Sequence, residues 1–289
     1  MARLIRKLLP RRWRPDFVEI PVVRLHGAIM SGGGQFRQNL SLASTASVLE
    51  KAFEDKDSPA VAISINSPGG SPVQSRLIYR RIRDLAAEKN KKVYVFVEDV
   101  AASGGYLIAV AGDEIIADPS SIVGSIGVVS ASFGFTELIK KIGVERRVHT
   151  AGKNKATLDP FKPENKADID HLKALQLEIH ETFIDLVKER RGDKLTDSID
   201  LFTGQFWTGV RSVELGLIDG LGDMRSYLQS QYGPKTKLKL ISQPRGLFGR
   251  RIPSASTRIE GLSAGLASNL ANGLVDAAEE RALWSRFGL

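Results

Sequence analysis

A serine surrounded by small residues lies in the stretch DVAASGGYLIAVAGDEI, residues 99–115. Ser103 has two alanines before it and two glycines after it, and a short apolar segment follows. Small neighbours leave room for a substrate beside a hydroxyl group, and they also suit the tight start of a helix. The stretch therefore favours two interpretations, a nucleophilic serine or a small residue that fills a turn.

Two loops contain consecutive glycines, INSPGGSP at residues 65–72 and VAASGGY at residues 100–106. Each loop follows an apolar run that is predicted to be a parallel strand, so both should meet at one end of the sheet. Consecutive glycines let backbone N–H groups approach a ligand without interference from a Cβ atom. An oxyanion hole needs two such donors beside a nucleophile, and Gly70 and Gly104 can supply them. Neither loop has the lysine–serine ending of a phosphate-binding loop.

A serine nucleophile needs a base, and the chain has four histidines to consider. His171 and His180 lie in a predicted long helix and are expected to face solvent. His26 and His149 end predicted strands. His149 stays open as a base, although the sequence indicates no acid to accompany it.

Lysine can replace histidine as the base if its pKa falls from about 10.4 to near 7, which requires roughly 4–5 kcal/mol of desolvation and positive-neighbour effects. The stretch HTAGKNKATLDPF, residues 149–161, offers Lys153 and Lys155 just after a predicted strand. Most lysines in a chain with 41 basic residues are solvated. The residues alone therefore leave the base open between His149 and these two lysines.

Nearly continuous apolar runs at AVAISI (60–65) and VYVFV (93–97) are typical of parallel strands covered on both faces. The amphipathic stretch at residues 73–89 predicts a helix between them, which makes a βαβ unit with a right-handed crossover. Similar patterns predict strands over 18–29, 114–117, 125–131, 145–150 and 237–242, and helices over 42–55, 104–111, 135–143 and 167–191. The predicted fold class is α/β with a mainly parallel sheet.

The composition excludes several classes of site. The chain has 289 residues, of which 42% are hydrophobic, and its lack of cysteine excludes disulfides, thiolate metal sites and a cysteine nucleophile. The formal net charge is +8, but residues 1–14 hold six basic side chains and no acidic one, which leaves about +2 for the rest. Because no zinc-finger or RNA-binding signature is present, no nucleic-acid partner is predicted.

Residues 1–16 are interpreted as a basic amphipathic segment. Apolar side chains share one helical face among the arginines, which suits peripheral contact with an anionic membrane, and a frayed basic tail is the alternative. The segment lacks the apolar core of a signal peptide, and no run in the chain is apolar enough for a transmembrane helix. A cytoplasmic location is therefore expected, with or without contact to a membrane surface.

Four motifs resemble, in order and spacing, those of the serine peptidases of the signal peptide peptidase A family, with its short SohB-like members as the most similar branch. They are INSPGGS, DVAASGGYLIAVAGDEIIADPSSIVGSIGV, TAGKNKATLDPFKPE and FTGQFWTGVRSVELGLIDGLGD. The resemblance implies a Clp/crotonase-like superhelix of ββα units, and we assign it to residues 17–243. Residues 244–289 are then expected to form a linker and a C-terminal helix that contributes to assembly.

The same resemblance implies a Ser–Lys dyad. The serine of the family corresponds to Ser103 and its lysine to Lys155, with Lys153 as the rival. Gly70 and Gly104 correspond to the donors of the oxyanion hole. Such a mechanism uses no metal and no organic cofactor.

The resemblance also implies the partners. The substrates are expected to be peptides, such as remnant signal peptides or other membrane-derived fragments. The subunits are expected to form a homo-oligomeric ring in which the serine of one subunit is completed by the lysine of its neighbour. Two alternatives remain, a crotonase-type acyl-CoA enzyme and a membrane-associated scaffold without catalysis. The presence of both Ser103 and Lys155 argues against each.

Overall fold

The computed structural model describes residues 17–31, 39–242 and 281–289. The strands in these ranges are β1 (Glu19–His26), β2 (Ala60–Ser67), β3 (Lys92–Ala102), β4 (Glu114–Ala117), β5 (Ile122–Gly124), β6 (Phe206–Thr208), β7 (Gly220–Leu221) and β8 (Lys237–Leu240). The helices are α1 (Leu42–Phe53), α2 (Pro72–Lys89), α3 (Gly104–Ala109), α4 (Thr136–Lys141), α5 (Lys166–Arg191), α6 (Gly209–Glu214) and α7 (Met224–Tyr232).

Within the described residues the strands form one eight-stranded sheet in the order β6-β5-β3-β2-β1-β8, with β4 beside β3 and β7 beside β4. The pairs are parallel except for β5 with β6, which is antiparallel. The prediction of an α/β fold with a mainly parallel sheet is therefore confirmed. The predicted edge strand near residue 237 is β8, which among the described strands pairs with β1 alone.

The sheet is covered on both faces, as its continuous apolar strands predict. On one face, α1, α2, α3 and the C-terminal third of α5 pack against the odd-numbered side chains of β2 and β3, such as Ile63 and Val95. On the other face, α7 inserts Leu228 against Ala62 and Phe96. The carboxyl ends of β2 and β3 are therefore held between two buried layers.

The last residues of the chain cover the second face near the end of β3. Residues 281–285 are helical, and Trp284 and Phe287 pack against Val100 and Ala102. The ring of Phe287 also meets Phe206 edge-to-face, with 5.0 Å between the centroids. The C-terminus thus lies directly beneath the strand that leads to Ser103.

A bulge divides β3 into two halves that pair with different strands. Its first half, Tyr94–Val97, pairs with β4, and its last residues, Val100–Ala102, pair with β5. Opposite β2, the register shifts between Ile65 and Ser67. Bulges bend a strand and change the direction of the residues that follow it. This bulge sets the direction in which β3 enters the turn at Ser103.

Two predicted strands are wrong. Residues 125–131 and 145–150 contain no strand, and the β5 strand ends at Gly124. Ser125 and Ile126 are buried, but most side chains between residues 129 and 166 are exposed. Most of these two runs therefore lacks a covering strand or helix in the described part of the chain. β-propensity reports fit to a half-buried sheet surface, and here that surface is missing.

Two other predictions lie outside the described residues, the amphipathic segment at 1–16 and most of the linker and C-terminal helix at 244–289. Among the helices of the described ranges, none has the length and apolarity that crossing a bilayer requires.

Candidate active site

Ser103 occupies a sharp turn between β3 and α3. Its backbone has φ 52° and ψ −123°, a strained conformation for a residue with a side chain. Its N–H donates to the carbonyl of Gly124 at 2.8 Å, and its carbonyl accepts the N–H of Leu107 at 3.0 Å. Hydrolases use a strained strand–turn–helix of this kind to expose a nucleophilic oxygen. Consistent with that use, the Ser103 hydroxyl does not cap its own helix.

The two glycine loops meet, as their positions after neighbouring parallel strands predict. A Cβ atom added to Gly69 would lie 2.8 Å from the Cβ of Ser103, and one added to Gly104 would lie 3.4 Å from the Gly70 nitrogen. Real Cβ atoms essentially never approach other atoms as closely as 2.8 Å. Gly69 must therefore lack a side chain for the two loops to pack together.

The N–H of Gly70 points away from the neighbouring Ile29. Gly70 forms a parallel bridge with Ile29, in which Ile29 donates to the Gly69 carbonyl at 2.9 Å and Ser71 donates to the Ile29 carbonyl. In such a bridge the N–H of the central residue points away from its partner. Among the described residues, neither Gly70 nor Gly104 donates its N–H to a backbone acceptor. Both donors are thus available beside Ser103, which is the arrangement an oxyanion hole needs.

Two residues of the site were missed by sequence reasoning. Gly124 accepts the N–H of Ser103, and a Cβ added to Gly124 would lie 2.9 Å from the Trp207 ring. Ser125 follows with φ 53° and is buried, and its N–H donates to the Gln205 carbonyl at 2.7 Å. The Gly–Ser pair at 124–125, at the end of the apolar β5 segment, was the available signal for a special backbone conformation.

The candidate bases all lie in a segment that extends away from the core. Lys153, Lys155 and His149 are exposed, and no hydrogen bond or ion pair joins any of their side chains to Ser103 in the described part of the chain. Lys155 lies in a turn in which its own N–H donates to the Gly152 carbonyl at 3.2 Å. The described part of one chain therefore does not join a base to Ser103, and the Ser–Lys dyad stays a prediction.

This extended segment, residues 127–165, packs mainly on itself. The rings of Phe133, Phe135 and Phe161 form a row, and the Phe135 N–H donates to the Pro160 carbonyl at 2.6 Å. Apolar side chains remain uncovered, such as Phe133 at 79% and Ile142 at 63% exposure. Isolated exposed apolar side chains are ordinary, whereas several in one segment are less common on a protein surface.

His180 of α5 differs from its predicted solvent-facing position. Its ring is half-buried, and Nε2 lies 3.1 Å from the Ile126 carbonyl oxygen. This hydrogen bond joins the long helix to the segment that follows β5. His180 therefore supports the loop beside the site rather than facing solvent.

Comparison with known proteins identifies the family. A family model described as peptidase family S49 matches residues 86–233, which include both Ser103 and Lys155. The chain belongs to peptidase family S49. The resemblance found in its motifs is thereby confirmed.

Several curated proteins are similar to the chain. Over 287 residues it is 69% identical to a Brucella abortus protein named Na(+)/H(+) antiporter NhaA, with 99% of this chain and 39% of that protein covered. It is 35% identical over 210 residues to protease 4 of Haemophilus influenzae, with 71% of this chain and 33% of that protein covered. It is 33% identical over 213 residues to the chloroplastic serine protease SPPA of Arabidopsis thaliana, with 71% and 31% covered.

The chain thus spans only about two fifths of the length of the Brucella protein. The antiporter name is that of the longer protein, whereas the family model that matches this chain is that of a peptidase. The S49 family assignment therefore describes the segment that the two proteins share.

Proposed function

We propose that the protein is a serine peptidase that cleaves peptide bonds with a Ser103–Lys155 dyad. The observation that carries this proposal is the strained Ser103 at a strand-to-helix turn, with the free N–H groups of Gly70 and Gly104 beside it. Membership of family S49 supports the same reaction class. We also propose that the ββα units wind into a Clp/crotonase-like superhelix.

In the proposed reaction, the neutral amine of Lys155 takes the hydroxyl proton as the Ser103 Oγ attacks the peptide carbonyl. The carbonyl oxygen becomes an oxyanion that the N–H groups of Gly70 and Gly104 stabilise. Lys155 then gives the proton to the leaving amine, which breaks the C–N bond and leaves an acyl-enzyme. A water molecule, deprotonated by the same amine, attacks the ester and releases the second product and free Ser103.

We propose that Lys155 reaches Ser103 from a neighbouring subunit in a homo-oligomeric ring. The exposed position of Lys155 and the uncovered apolar side chains of residues 127–165 support this arrangement. A second copy that covers this segment would also remove water from the amine. Desolvation favours the neutral form that a base requires.

A mixing experiment tests the shared dyad. Ser103→Ala and Lys155→Ala are each expected to abolish hydrolysis of a reporter peptide, because each lacks one half of every site. After subunit exchange at equal amounts, sites with an intact serine and a neighbour's intact lysine should restore about one quarter of wild-type activity in a ring of head-to-tail contacts. His149→Ala is the control and should keep near-normal activity. Recovery of no activity would contradict the sharing of the dyad between subunits, and loss of activity in His149→Ala would contradict the assignment of Lys155 as the base.

Reaction of Ser103 with a fluorophosphonate probe tests the reaction class itself. The wild type should gain one phosphonyl group on Ser103, located by peptide mass spectrometry, and the Ser103→Ala variant should gain none. An unlabelled wild type that binds a coenzyme A thioester would instead support a crotonase-type acyl-CoA enzyme. An unlabelled chain that binds neither would support a scaffold.

We also propose that the protein works at the cytoplasmic surface of a membrane on peptide fragments such as remnant signal peptides. Six basic residues among the first fourteen support this placement, and so does the similarity to a longer protein named as an antiporter. Flotation with vesicles that contain anionic lipids tests it. The full chain should float with anionic but not with neutral vesicles, and a variant lacking residues 1–14 should remain at the bottom.

A further inference from the structure

Asn66 lies at the point where the register between β2 and β3 shifts. On one side of the bulge Ile65 pairs with Val97, and on the other Ser67 pairs with Ala101. Asn66 is therefore opposite Glu98, Asp99 and Val100, and none of these three residues pairs with a residue of β2. Extra residues of this kind leave backbone groups that need other hydrogen-bond partners.

The Asn66 side chain supplies one such partner and also binds the side chain of Asp99. Its Oδ1 accepts the N–H of Val100 at 3.1 Å, and its Nδ2 donates to Oδ2 of Asp99 at 2.6 Å. Val100 is fully buried, so its N–H would be unsatisfied without this acceptor. The identity of the two side-chain atoms is set by their partners, because a backbone N–H only donates and a carboxylate only accepts.

Asn66 also lies at the base of both loops of the site. Its backbone carbonyl accepts the N–H of Gly27 at 2.9 Å, and the next residue, Ser67, donates its hydroxyl to the Gly27 carbonyl at 2.7 Å. Gly70 follows four residues after Asn66, and Ser103 follows three residues after Val100. One amide group therefore joins the strand that leads to the oxyanion donor to the strand that leads to the nucleophile.

We propose that Asn66 is a positioning residue for the reaction: by bridging Asp99 and Val100 it holds the end of β3, and with it Ser103, in register with the Gly69–Gly70 loop. This inference rests on the proposed peptidase function. Among the hydrogen bonds of the described residues none joins Asn66 to Ser103, so Asn66 acts through the backbone of β3. Misplacement of a reacting group by about 1 Å can lower a rate by about 100-fold.

A charge-swap series tests this role. In Asn66→Asp, two carboxylates face each other across the bulge and the bond to Asp99 is lost, so kcat should fall by about 10- to 100-fold. Asp99→Asn should keep near-normal kcat, because an amide oxygen still accepts from Nδ2. In the double variant Asn66→Asp/Asp99→Asn, the donor and the acceptor are exchanged, and kcat should return to within a few-fold of wild type.

The expected loss is in kcat, with KM changed by less than about twofold, because Asn66 holds the nucleophile rather than the substrate. Asn165→Asp is the matched control. Its side chain accepts the N–H of Ala167 at the start of α5, and aspartate accepts there equally well, so kcat should not change.

Amide hydrogen exchange of the peptide covering residues 97–107 supplies a readout that does not depend on activity. Exchange should become faster in Asn66→Asp and slow again in the double variant. The role of Asn66 would be overturned if Asn66→Asp kept the exchange rate and kcat of the wild type. It would also be overturned if kcat and exchange in the double variant were no closer to wild type than in Asn66→Asp. Failure of the wild type to react with the fluorophosphonate probe would overturn the proposed function instead, and the exchange measurement would still decide the role of Asn66 in holding β3.

Discussion

The contact between Gly104 and Ser75 allows a double-variant test of the oxyanion loop. Gly104 starts α3 without a positive φ, so alanine there suits the helix and would by itself favour it by about 1 kcal/mol. However, an added Cβ would lie less than 3.0 Å from Oγ of Ser75, whereas ordinary contacts are 3.4–4 Å. Gly104→Ala is therefore expected to destabilise the protein mainly through this clash, with a smaller contribution from Cδ1 of Ile29 at 3.3 Å.

The clash cannot be relieved by a simple rotation of Ser75. The side chain is fully buried, and its hydroxyl donates to the Ser71 carbonyl at 2.8 Å. Overpacking of this kind costs about 1–3 kcal/mol. Ser75→Ala removes the oxygen and one hydrogen bond, for about 1 kcal/mol. Because both changes act on the same contact, the free energy of unfolding of the double variant should be about 1–2 kcal/mol higher than the sum of the single effects predicts.

The assay combines urea unfolding with the rate of phosphonylation of Ser103. The methyl group that Gly104→Ala introduces would lie 3.4 Å from the Gly70 nitrogen and would occupy space beside that donor. In Gly104→Ala/Ser75→Ala, the free energy of unfolding should partly recover. The phosphonylation rate should stay about 100-fold below that of the wild type, which is the effect of losing one oxyanion donor. Gly134→Ala is the control, because no atom lies within 4 Å of its added Cβ.

Two results would refute this reasoning. Additive effects of the two substitutions on the free energy of unfolding, within about 0.5 kcal/mol, would mean that Gly104 and Ser75 do not share the contact described. A wild-type phosphonylation rate in Gly104→Ala would mean that the space between Gly70 and Gly104 does not hold the oxyanion.

Three further predictions concern stability. Phe287→Ala should lower the free energy of unfolding by about 1–3 kcal/mol in urea titrations, below the usual range for a core phenylalanine because its side chain is still 9% exposed. Leu289→Ala, at an exposed position, should have little effect. Ser103→Gly should raise it by about 1 kcal/mol, because glycine adopts positive φ without strain, and Ser103→Ala should not. Burial lowers the pKa of His26 below 6.5 and outweighs the attraction of Glu98, so the unfolded chain binds the proton more readily and stability falls as the pH drops below about 6.5. His26→Asn should accordingly lose less stability than wild type between pH 7.5 and 5.5. An equal loss in both proteins would mean that His26 does not cause the loss at low pH.

The sequence by itself determined the order of the elements and the meeting of the two loops. Apolar runs at residues 60–65 and 93–97 are typical of buried parallel strands, and parallel strands bring their carboxyl ends to one edge. The loops that hold Gly70 and Ser103 follow these strands, so their contact could be predicted. In the wrong strands at 125–131 and 145–150, most residues after Ile126 lack a covering surface in the described part of the chain, which local patterns do not reveal.

Tertiary structure alone decided the geometry that makes Ser103 a candidate nucleophile. Its positive φ depends on the carbonyl of Gly124, and the path of β3 depends on the bridge from Asn66 to Val100. Each of these contacts joins residues more than twenty positions apart, and residue types carry no signal for such pairings until the sheet register is known. The same reason explains why Phe287, nearly 190 residues after Val100, was not expected beneath the strand that leads to the site.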